Sequence, residues 1–157
     1  MTACEARLQS TKRNLYTIRR RLDDYEKGKV TEEPSFLMDT IFNFFCECHN
    51  IKDSIKNDTL IIFNKNPVEN IRENQCLQIC ADICNLKKHV KLDPDLWWTK
   101  ETYEVNFKGV MKEKTNEFEV IIVSDKKKTY EFFFLASAYI TAWEVFIKDH
   151  VTLKNRV

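Results

Sequence analysis

LQICADICNLKKHVKL, residues 77–92, is the stretch that decides how the chain is read. Leu77, Cys80 and Cys84 recur on one helical face, with Ile79, Ile83, Leu86 and Val90 beside it, the period of a core helix. Cys80, Ala81 and Cys84 are small enough to let a second helix approach closely. The same stretch carries Asp82, Asn85, Lys87, Lys88 and His89. Asp82, Asn85 and His89 fall at i, i+3 and i+7 and share a face, with Lys88 alongside. Asn66–Pro67 is a start signal, Asn as cap and Pro in the first turn. The spacing therefore predicts a helix over about 67–91, broken near Asn74 and ended by Asp93–Pro94.

Two helices precede it. Cys4, Leu8, Thr11, Leu15, Ile18, Leu22 and Tyr25 form one apolar stripe over 4–27, and Gly28 is a stop signal. Arg19–Arg20–Arg21 on that helix reads as a solvated face, because Asp23, Asp24 and Glu26 follow at once. From Pro34 to about Asn57, Leu37, Ile41, Phe44, Cys48, Ile51 and Ile55 form one row and Met38, Phe42 and Phe45 a second. The second row passes into His49, Lys52, Asp53 and Lys56, so this helix turns polar on one side midway. Thr59–Lys65 is a short apolar run, a strand or a loop pinned to the core. Past Pro94 the period changes. Thr102–Val110 alternates, Glu117–Ser124 is β-rich, and the polar Met111–Asn116 joins them as a hairpin. Thr129–Glu131 can add a short strand. Leu135, Tyr139, Ala142, Trp143, Phe146 and His150 predict a last helix over about 132–151. The expectation is a mainly α protein, a four-helix up-and-down bundle in one domain spanning 1–157. The β-hairpin, about 101–131, is inserted before the last helix and needs the bundle or a partner for support.

Composition narrows the function. At 157 residues, with 43% apolar and 31% charged side chains, the chain can bury a core without staples. Lys plus Arg is 25 and Asp plus Glu 24, so no global field draws it to nucleic acid or anionic lipid. The N-terminal MTACEARLQSTKR lacks the apolar stretch of a secretory signal, and Cys76, Cys80 and Cys84 lie four apart on one helix. Reduced thiols in a cytoplasmic protein are the expectation. No run reaches the ~18 apolar residues of a membrane span, so no membrane partner is expected. With two glycines, Gly28 and Gly109, there is no phosphate-cradling loop. The cysteines and histidines show no C-x-x-C pair with a matching partner, so no metal ligand or cofactor is assigned.

Two polar sets carry the chemistry that is left. His49 and Asp53, four apart, put a carboxylate near an imidazole, as a general base requires; the plainer reading is an interhelix ion pair. Asp82, Asn85, Lys88 and His89 bring together an imidazole, an ammonium and an amide. That set suits metal-independent phosphodiester cleavage, His moving the proton, Lys holding the phosphorane charge and Asn orienting the phosphate. The plainer reading is a polar helix end, where Asp82 and Asn85 satisfy backbone groups and Lys87, Lys88 and His89 complement the helix dipole.

The segments FNFFCECHNIKDSIKND (42–58) and LQICADICNLKKHVKL (77–92) resemble a family of uncharacterised bacterial proteins, with an aromatic-rich H-x-x-K-D pattern followed by A-D-x-C-N-x-x-K-H. The hairpin and the A-W-E of residues 142–144 extend the resemblance over most of the chain. It implies that His49, Lys52, Asp53, Asp82, Asn85, Lys88 and His89 are marked positions. More loosely, the bundle is similar to the HEPN superfamily (higher eukaryotes and prokaryotes nucleotide-binding), which implies dimeric ribonucleases of toxin–antitoxin and antiviral defence systems. That superfamily's motif is an Arg, then four to six residues, then a His. Before His89 those positions hold Cys84, Ile83 and Asp82, which leaves Asn85 and Lys88 to replace the Arg.

Two functions follow as expectations. In the first, a cleft between the second and third helices binds or cuts RNA. His49, Asp53, Asn85, Lys88 and His89 would be catalytic there, and Lys52, Asp82 and Lys87 would bind. In the second, the chain is a non-catalytic interaction module with a protein partner or a second copy of itself. The hairpin edge with Tyr139, Trp143 and Phe146 would then be the interface, and the polar sets a structural network.

Overall fold

Thr2 starts the first helix by a reciprocal cap: its Oγ1 accepts from Glu5 N at 3.3 Å, and Glu5 Oε2 accepts from Thr2 N at 3.0 Å. The computed structural model describes residues 2–28, 34–88, 98–112 and 115–154. Helix α1 (Ala3–Glu26) buries Cys4, Leu8, Thr11, Ile18 and Leu22, the stripe its spacing predicts. Gly28, at φ +65°, then takes the left-handed conformation that ends it. Helix α2 (Pro34–Asn57) buries Leu37, Ile41, Phe44, Phe45, Cys48, Ile51 and Ile55, so both of its apolar rows reach the core.

The expected break at Asn74 is real, and one residue makes it. Helix α3 (Pro67–Glu73) begins where Asn66 Oδ1 accepts from Val68 N at 3.0 Å. Asn74 adopts extended backbone, and its Nδ2 donates to Asn70 O at 2.7 Å. Its own carbonyl accepts from Leu77 N and Gln78 N, so it also opens α4 (Gln75–Lys88). Asn70 Nδ2 donates to Ala142 O at 3.3 Å and ties this corner to the last helix.

Among the described residues, two antiparallel sheets complete the fold. Strands β2 (Tyr103–Lys112), β3 (Thr115–Ser124) and β4 (Thr129–Glu131) pair in that order, with Val105 opposite Ile122 and Ile122 opposite Tyr130. The strands run further than expected, into the polar stretch read as a connecting loop. Ladder pairing satisfies the backbone of polar residues as well as apolar ones. Val120 and Ile122 are buried, and Phe107 meets Tyr25 of α1 edge-on at 5.8 Å, so the helices support the hairpin. Glu131 then caps α5 (Phe132–His150), its carboxylate accepting from Phe133 N at 3.1 Å and Phe134 N at 2.7 Å. The second sheet pairs β1 (Ile61–Phe63) with β5 (Val151–Leu153), Ile61 opposite Leu153. Strand β5 has no counterpart in the helical reading of 132–151; the last helix gives way at Val151, where the backbone pairs with β1.

The protein is thus mainly helical with small antiparallel sheets. One apolar cluster draws on α1, α2, α4, α5 and β3. At its centre Phe44, Phe45, Phe132 and Tyr139 meet edge to face at 5.6–5.9 Å. Among the described residues no helix is long and apolar enough to cross a membrane.

Candidate functional site

Helices α2 and α4 meet through their cysteines. Cys80 Sγ donates to Phe45 O at 3.3 Å and Cys46 Sγ to Cys84 O at 3.9 Å, while the Cys48 thiol neighbours that of Cys80. Cys76 feels Cys48 in turn. Going forward from Cys46 to Cys48 on α2 therefore means going back from Cys84 to Cys76 on α4, and the two helices run antiparallel. The six cysteines are free thiols. Burial, first of all, pushes the Cys80 thiol well above its ordinary pKa, and the neighbouring thiols add to this.

This pairing places the two polar sets. His49 follows Cys48 and lies at the level of Cys76–Cys80. Lys88 closes α4 about 12 Å of helix rise beyond Cys80, alongside the first half of α2. Lys87 and Lys88 are the last residues of α4, and His89 lies outside the described residues. On α2, Lys52 Nζ donates to His49 Nε2 at 3.4 Å and stands 3.9 Å from Asp53 Oδ1. An ammonium thus stands beside the imidazole nitrogen, and the exposed Asp53 pairs with that ammonium. His49 and Lys52 are half-buried.

Asp82 has a different setting. It is fully buried, and its carboxylate accepts from Trp98 N at 3.0 Å, Thr99 N at 2.9 Å and Thr99 Oγ1 at 2.5 Å. Burial is the largest influence and raises its pKa; the hydrogen bonds from Thr99 and Trp98 oppose that. Tyr103 OH donates to Thr99 Oγ1 at 2.8 Å, and Glu101 N donates to the same oxygen at 3.3 Å. Burial likewise raises the Tyr103 phenol. Glu101, nearly buried, stands 3.8 Å from Lys128 Nζ, an ion pair too long for a hydrogen bond. Asp82 therefore anchors the entry to β2. Asn85, a turn further along α4, is half-buried.

Sequence reasoning missed Thr99, Glu101 and Tyr103. Nothing local marks them; they join the network because the chain folds back over α4. It also put Tyr139, Trp143 and Phe146 on an interface. The structure corrects this, since all three are buried in the core. They are the inward face of α5, and the outward face carries Phe134, 78% exposed, and Val145, 51% exposed. Between these two, a groove of about 530 Å³ is lined by Ser137, Ala138, Thr141, Ala142, Asn74 and Cys76. Among the described residues no group of three or more His, Cys, Asp or Glu is arranged to hold a metal ion. Comparison of the chain with protein-family models, with curated proteins and with solved structures finds no match.

Proposed function

We infer that this chain is a non-catalytic interaction module, the partner subunit of a bacterial defence or toxin–antitoxin type system, with its helices in a HEPN-like four-helix bundle. One observation carries the reading. Asp82 is spent on its own fold: three donors from residues 98–99 fill a fully buried carboxylate. A carboxylate so enclosed touches no substrate. The antiparallel run of α2 and α4 supports the same conclusion, because it carries Lys88 away from His49. The setting comes from the resemblance of residues 42–58 and 77–92. The second reading, a metal-independent ribonuclease, is favoured by the Lys52 ammonium beside the His49 imidazole, an acid–base group next to a phosphate-binding charge.

The test uses end-labelled single-stranded RNA with the purified protein and with the double variant His49→Gln, His89→Gln. The module reading expects intact RNA in both. Cleavage by the wild type that disappears in the still-folded variant overturns it. In its own cells the chain is expected in a complex of fixed stoichiometry.

A further inference from the structure

Helix α1 turns a cationic, aromatic face to solvent beside α5. Lys12, Arg13, Tyr16, Arg19 and Arg20 share one arc of the helix. Tyr16 is 64% exposed. Lys12 is neutralised by Glu144 at 2.5 Å. The arginines are not: among the described residues, no carboxylate reaches ion-pair distance of Arg13, Arg19 or Arg20. The Arg19 guanidinium instead lies 3.7 Å over the Phe133 ring, and that of Arg20 lies 6.0 Å from the Tyr16 ring centroid. Asp23 and Asp24 follow within a turn without closing on them. Next to this face a groove of about 310 Å³ opens between the helices, floored by Leu15, Phe133 and Ile140. Ser137 lines this groove and the larger apolar groove of α5 alike, so one track runs on from the arginines to Val145.

We propose that this face docks an acidic segment of a protein partner. Carboxylates of the segment pair with Arg13 and Arg20, and an apolar side chain between them enters the groove against Leu15, Phe133 and Ile140. The proposal rests on the interaction-module reading and gives that partner its chemistry. Charge complementarity selects acid: guanidinium forks match carboxylates two bonds at a time. The shape of the patch selects peptide over nucleic acid. The basic arc from Lys12 to Arg20 is about 12 Å long, and Asp23 and Asp24 close its end. A phosphate chain carries charge at every unit and would run into those carboxylates. A peptide can place its acids over two turns and continue with apolar residues along α5. The groove floor is apolar, and an aliphatic or aromatic side chain fills it better than a sugar or a phosphate.

The probe is a display library of random peptides of about 16 residues, long enough to follow both grooves, selected on the intact protein. Enrichment of Asp or Glu flanking Leu, Phe or Trp is the expected result. Synthetic versions should weaken about tenfold or more with Arg13→Glu plus Arg20→Glu, and similarly with Ser137→Trp, which obstructs the shared track. Binding should also fall as salt rises from about 0.05 to about 0.5 M. All three positions are exposed, so the variants keep the fold. Failure to enrich acidic–apolar peptides overturns the proposal. Peptides that bind equally well to both variants overturn it too, though the chain would still be an interaction module docking elsewhere. Tighter, arginine-dependent binding of a single-stranded RNA of similar charge overturns it in favour of nucleic acid. Only RNA cleavage in the preceding test overturns the broader reading.

Discussion

Two polar regions of this protein look alike in sequence and behave oppositely in the fold. Around Asp82 the polar groups are turned inward: the carboxylate holds Trp98 N, Thr99 N and the Thr99 hydroxyl, and the hydroxyl in turn accepts from Tyr103. On α1 the arginines face outward, with Arg19 over the Phe133 ring and Arg20 near that of Tyr16. The difference teaches that density of polar residues does not mark a site. A group whose bonds are all made inside the fold supports structure, and a group left open to solvent can meet a partner.

That contrast has measurable consequences. Asp82→Ala should cost the most, about 3 kcal/mol of unfolding free energy, because the buried donors of Trp98 and Thr99 lose their acceptor. Urea unfolding checks this, and a cost within that of a surface change would place Asp82 outside the structural network. Thr99→Val keeps the shape but removes the hydroxyl between Asp82 and Tyr103. A loss of about 1–2 kcal/mol is expected by the same measurement.

A smaller, pH-dependent effect follows from the raised Asp82 pKa. The native state takes up this proton more readily than the unfolded chain, whose carboxyl keeps the ordinary value of 3.8. The contribution is therefore fully present below that value and is lost as pH rises through the native pKa. Asp82→Asn cannot ionise. Its stability relative to wild type should improve as pH is raised from about 4 to about 7, and a constant gap would contradict the assignment. Smallest of all, Arg13→Ser and Arg20→Ser should each leave thermal stability within about 0.5 kcal/mol of wild type. A larger loss would mean that the α1 face, too, serves the fold.

Several parts of the architecture were legible before any coordinates, and for local reasons. The stripe of α1 repeats with helical period from Cys4 to Tyr25. Asn66–Pro67 and Asn74 act on their own neighbours, and the alternation of β2 and β3 announces a hairpin. Less of the candidate site could be read. The residues that define Asp82 lie in a later loop, and the i+4 spacing points His49 to Asp53, whereas the fold sets the Lys52 ammonium beside it.

Period and capping, acting within a few residues, were enough to say which segments are helices and which of their residues are apolar enough to be buried. Only the packed chain shows that β1 pairs with β5, that α4 runs antiparallel to α2, and that Trp98 and Thr99 close on Asp82. The physical reason is the same in each case. Strands three residues long carry no mark of their partner, and a polar side chain finds its partners only after distant parts of the chain have packed around it.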